Sequence, residues 1–189
     1  SFLLISAAAH AFVSLPRLHA WYLENLRRSI NYVRWWEYAL SASVMIVVIA
    51  ILPGMYDLGS LILIFSLNAM MLLFGLLMEI QNRPGDRVNW TAFTFGSLAG
   101  AVPWLVIALY LWSPGTGPGN PPRFVYAIFF SLFVWYSLFA LNMVLQYRRI
   151  GPWRDYVFGE YGYVVLSLTA KSALAWQVFA GALTVRGDL

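Results

Sequence analysis

The chain has 189 residues, of which 61% are hydrophobic and 11% charged, with nine Trp and a formal net charge of +4. That balance lies far outside soluble-domain composition, and the arginines form no sustained basic run of the kind that tracks nucleic acid. With no cysteine, a disulfide framework and a thiolate metal site are both excluded, and no metal centre is expected.

Residues 1–15 are apolar but too short to cross a ~30 Å hydrocarbon core unless the helix continues past Pro16. The stretch has no initiator Met, polar flank or cleavage site, so it reads as part of an N-terminally truncated chain and not as a signal peptide. Charge-free stretches then recur at 38–56, 58–78, 88–112, 124–147 and 161–185, each long enough to span a bilayer as a helix. The expected fold is all-α, a polytopic transmembrane helical bundle forming one domain over 1–189. Pro53-Gly54, Arg83-Pro84-Gly85 and the loop 113–122 (SPGTGPGNPP) mark turns. Trp21, Trp90, Trp112 and Trp153 fall at predicted interfaces, where anchoring is their ordinary role.

Alternate connections differ in charge. One set holds Arg17, Arg27, Arg28, Arg34, Arg83, Arg87, Arg148, Arg149 and Arg154, and the other only Arg123 and Arg186. Nine arginines against two make the first set cytoplasmic. The C-terminus is then extracellular, and one further upstream helix would place the N-terminus of the complete protein in the cytoplasm. The same arginines suit anionic headgroups.

Lys171 is the sole lysine, near the middle of 161–185, where no other residue is charged. An isolated ammonium at that depth costs several kcal/mol, roughly 3 on insertion scales, and cannot snorkel to water. Its amine can condense with an aldehyde to form a Schiff base, so one reading is a covalent chromophore or substrate; the other is a buried salt bridge. Glu37 is the matching carboxylate. Pro53 follows it by 16 residues and Arg186 follows Lys171 by 15, so at ~1.5 Å per residue both charges lie roughly 22–24 Å from the outer ends of their helices. Glu37 can pair with the amine or its Schiff base, or instead with Arg34 one turn earlier.

Ser41 lies four residues after Glu37 and Ser167 four before Lys171, so each hydroxyl shares a face with a charge. Either can serve the ion pair or bond back to its own helix. Asn68 and His10 are further polar groups at depth, His10 suited to a proton relay or a helix-to-helix hydrogen bond. Tyr38, Met45, Met71, Trp104, Phe130, Trp135, Tyr136 and Trp176 supply walls for a long conjugated ligand, or ordinary packing. Gly96 and Gly100 permit close helix approach, either between subunits or within one.

The runs Arg34-Trp35-Trp36-Glu37-Tyr38 and Ser41-Ala42-Ser43-Val44-Met45, with Ser167-Leu168-Thr169-Ala170-Lys171, resemble the heliorhodopsins, retinal-binding seven-helix proteins of inverted topology. Asn31, Asn68 and His10 sit where that family has polar residues, and the resemblance covers essentially the whole chain. It implies six visible helices of a seven-helix rhodopsin-like fold, the first helix being absent. It also implies retinal as cofactor on Lys171, Glu37 as counterion, Ser41 and Ser167 around the Schiff base, and His10 in an inner polar cavity. A homodimer and a cytoplasmic signalling partner are further expectations, with the face of Gly96 and Gly100 as the expected dimer interface and packing within one subunit or space for the retinal ring as the alternatives. The function so implied is light sensing and not enzymatic turnover. A light-driven pump or channel is the alternative, disfavoured by Glu37 being the sole carboxylate deep in a predicted span. A transporter or membrane enzyme with a structural Lys171–Glu37 salt bridge is a third possibility.

Overall fold

The computed structural model describes residues 2–82, 87–112 and 121–187, with side chains to residue 184. The Arg83-Pro84-Gly85 turn, most of the loop 113–122 and the Arg186 side chain lie outside the described residues. Among the described residues seven α-helices follow in chain order: α1 Phe2–Ser14, α2 Pro16–Arg27, α3 Tyr32–Ile51, α4 Leu58–Gln81, α5 Thr91–Trp112, α6 Arg123–Tyr147 and α7 Tyr156–Gly187. A short 3₁₀ turn, Gly151–Arg154, precedes α7. Five of the helices, α3 to α7, are long and apolar enough to cross a membrane, so the chain is a multi-pass helical membrane protein.

The apolar start does not run straight past Pro16. α1 and α2 meet at a 95° bend. Proline lacks the N–H needed inside a helix but suits its first turn, and here it opens α2 after the extended Leu15. α3 begins at Tyr32, well before the charge-free stretch at Tyr38, because Arg34 and Glu37 are carried inside the helix. Asn31 caps it, its side chain accepting the Arg34 N–H at 3.1 Å. Asp57 caps α4, accepting from the Ser60 N–H at 2.7 Å and the Ser60 hydroxyl at 2.8 Å. The Ser60 N–H, then its hydroxyl, hold the Asp57 carboxyl below the usual carboxylate range. Gly54, at φ +102°, makes the turn between these helices, a conformation open to glycine.

The described chain packs as two compact units, Ser1–Leu109 and Tyr110–Leu189. In the first, α3 is the most enclosed helix, with 56% of its apolar window buried against 33% or less for the other spans. It packs along α4 and against α1. Gly96 and Gly100 of α5 are buried and face α4: a Cβ on Gly96 would lie 3.0 Å from the Phe74 Cβ, and one on Gly100 would collide with the Met71 side chain. The pair is therefore occupied by close packing within one subunit, and not by the dimer interface expected of it. In the second unit α6 and α7 pack together, joined across the 3₁₀ turn by polar bonds. Trp153 Nε1 donates to Asn142 Oδ1 at 2.8 Å, Asn142 Nδ2 to the Gly159 carbonyl at 3.1 Å, and Gln146 Nε2 to the Tyr156 carbonyl at 3.3 Å. Trp153, expected as an interface anchor, is thus tied into the protein.

Candidate functional site

In the second unit, α7 carries Lys171 in the middle of a 32-residue helix. Its side chain is buried, 4% exposed, and Nζ donates to Ser167 Oγ at 2.8 Å. The four-residue spacing accounts for this contact, since residues i and i+4 stack on one helix face. A further polar contact joins α7 to α6, where Ser131 of α6 and Gln177 of α7 exchange hydrogen bonds at 3.0 and 3.1 Å. Tyr136 is half-buried. Phe130 and Trp176, expected among the inner walls, are instead 56% and 69% exposed. In a membrane helix an outward aromatic meets lipid at no cost, so aromatic density alone does not select an inner face.

In the first unit the polar residues of α3 follow one another along its buried side. Glu37 accepts a hydrogen bond from Ser6 of α1, Oγ to Oε1 at 2.6 Å. Ser6 was not among the expected site residues: a lone serine in an apolar helix carries no pattern in the sequence. His10, one turn further along α1, is exposed. Ser41, one turn beyond Glu37, is fully buried, and its hydroxyl has no hydrogen-bond partner among the described residues. Such a group costs free energy unless something meets it, which makes Ser41 the clearest sign of an expected polar ligand atom on this face. Asn68 of α4 is 1% exposed and donates to Ser43 of α3 at 3.0 Å, so its partner is the second serine of the Ser41-Ala42-Ser43 run. Tyr38 and Trp104 are buried, and Met71 lies beneath Gly100.

The Arg34 guanidinium pairs with Glu79 of α4, both side chains being almost fully enclosed at 5% and 1% exposure. The Glu79 carboxylate also accepts the Asn31 N–H at 2.9 Å, and Asn31 Nδ2 donates to the Tyr22 hydroxyl of α2 at 3.3 Å. Arg34 lies over the Trp35 ring, 4.5 Å from its centroid. The Arg34 and Glu79 charges at this end of α3 thereby compensate each other.

Retinal, which the sequence resemblance implies, needs a buried amine, a carboxylate and nearby hydroxyls. Within their own units, Lys171 with Ser167 and Glu37 with the orphaned Ser41 hydroxyl fit that donor set. Among the described residues no group of His, Asp and Glu is placed to hold a metal ion. A family model described as Heliorhodopsin matches residues 1–183, nearly the whole chain. Comparison with curated proteins returns no match.

Proposed function

The chain belongs to the heliorhodopsin family, and on that premise we propose that it is a light-sensing retinal protein with Lys171 as the attachment point. Retinal, when bound, supplies visible absorption and a light-driven change of shape. The chain's residues supply the rest. The Lys171 amine would hold the retinal aldehyde carbon as a Schiff base, with loss of water, and its burial would keep out the bulk water that hydrolyses such a bond. The Glu37 carboxylate stabilises the proton on that nitrogen as counterion, a role supported by its matching depth in the sequence and by its being the only carboxylate deep in a predicted span. Ser167 and Ser41 offer hydrogen bonds around the same proton, and Ser6 holds one carboxylate oxygen of Glu37 in place. Tyr38, Met71, Trp104 and Tyr136 remain the proposed walls, with Asn68 and His10 as further polar groups.

The observation that carries this reading is Lys171 itself, the only lysine, 4% exposed within a membrane-spanning helix and held by Ser167. Sensing is favoured over pumping because the other enclosed carboxylate, Glu79, is committed to Arg34 and Asn31. No substrate turnover belongs to this reading. The output passes to a signalling partner on the side rich in arginine, taken as cytoplasmic, and the protein works as a homodimer through a face other than that of Gly96 and Gly100. The test is to add all-trans retinal to the purified protein. A visible band that persists, with no light-driven pH change in vesicles, is expected. Absence of the band would refute retinal binding, and a sustained pH change would replace sensing by pumping.

A further inference from the structure

α2 lies apart from the chemistry described above. It contains no buried residue, yet it is fixed to its surroundings. Leu18, Tyr22 and Leu26 are half-buried and form its inner face. The Tyr22 hydroxyl accepts from Asn31, and Trp21 stacks on Tyr32 with ring centroids 6.2 Å apart. Through Asn31 the helix is joined to the Arg34–Glu79 pair, so its orientation relative to α3 is set by buried bonds and not by a loose tether.

That orientation has a consequence in a membrane. α1 packs along the membrane-spanning α3, and α2 departs from α1 at 95°. A helix perpendicular to a spanning helix, starting at its end, runs along the plane of the bilayer surface. Its outward stripe is Arg17, Trp21, Glu24 and Arg28, at intervals of four, three and four residues, all exposed. The rest of the exposed surface carries Arg27 and Leu23, about 80° and 120° round the helix from Arg17 on one side, and His19 and Leu15 on the side away from the stripe. Glu24 is bound by Arg28, the C-cap of α2, at 2.9 Å and approached by Arg27 at 3.9 Å, so that the helix with its cap carries three arginines against one carboxylate. Arginines beside an exposed Trp, with exposed leucines round the helix from them, match an interface of phosphate oxygens above acyl chains.

We propose that α2 is an interfacial helix whose stripe binds anionic phospholipid headgroups of the membrane that the protein spans. This inference is independent of retinal binding, since it rests on the bend, the exposure and the charge of α2 alone. The absence of cysteine from the sequence makes the test direct. The full protein carrying Leu23→Cys with a nitroxide label is reconstituted in phosphatidylcholine vesicles, with and without phosphatidylglycerol. The label is expected to be shielded from a water-soluble nickel chelate, accessible to oxygen, and slowed further by phosphatidylglycerol. Raising the salt to ~1 M should remove the slowing by shortening the screening length to about 3 Å. Combined Arg17→Gln, Arg27→Gln and Arg28→Gln should remove it as well, while the salt arm needs no variant and so does not depend on that variant's folding. A label fully open to the chelate, with the same mobility in both vesicles, would overturn the proposal and point to a stripe directed at a soluble partner.

Discussion

A carboxylate beside a protonated Schiff base stabilises the positive charge at the nitrogen, where it resides in the ground state more than in the excited state. Glu37→Gln should therefore lower the Schiff-base pKa and move the absorption of the protonated form to the red, measured by spectral titration. An unchanged pKa and spectrum would assign the counterion elsewhere. Removing the guanidinium with Arg34→Ala should leave Glu79 buried and unpaired, at a cost on the order of 3–5 kcal/mol read as a fall in thermal midpoint. If the midpoint hardly moves, the pair is not the enclosed one described. At this scale the sequence exposed Lys171, Glu37, Ser41 and Ser167, because a charge in an apolar stretch is expensive and a four-residue spacing places a hydroxyl beside it. Ser6 and the partnership of Arg34 with Glu79 were not legible. They depend on which helices pack, across 31 and 45 residues of chain, and a helix-end carboxylate looks solvated until its neighbours are known.

The spanning helices were legible for a different reason. A bilayer offers no water to backbone groups, so each crossing needs about 20 residues of apolar helix, and runs of that length stand out. The helix ends did not follow the charge-free limits: α3 and α7 begin earlier, at Tyr32 and Tyr156. α2 was missed because it is short, polar and set off by a proline-linked bend that hydropathy does not register. Asp57 offers a test of an element end. Its folded carboxyl titrates below its unfolded value, so the cap stabilises α4 fully above the unfolded pKa, and that contribution is lost as pH falls through the folded pKa. Asp57→Ala should lower the thermal midpoint at neutral pH and matter progressively less in acid; an equal deficit at all pH values would remove the charge from the cap's role. Gly100→Leu should destabilise the fold by forcing Met71 aside, in contrast to a dimer-interface variant, which would dissociate with its midpoint unchanged.

For the molecule as a whole, the nine-to-two arginine asymmetry predicts which surface is reached from each side of the membrane. Tyr56→Cys, between α3 and α4, should react with an impermeant maleimide on intact cells, and Ile150→Cys, between α6 and α7, only after lysis. The reverse pattern would invert the topology and place the proposed output on the other face. Every functional statement returns to one atom, Lys171 Nζ. Borohydride reduction of the retinal-loaded protein, followed by digestion and mass spectrometry, should find the retinyl group on the peptide that contains Lys171 and nowhere else. A visible pigment that yields no retinyl adduct at Lys171 would contradict the account.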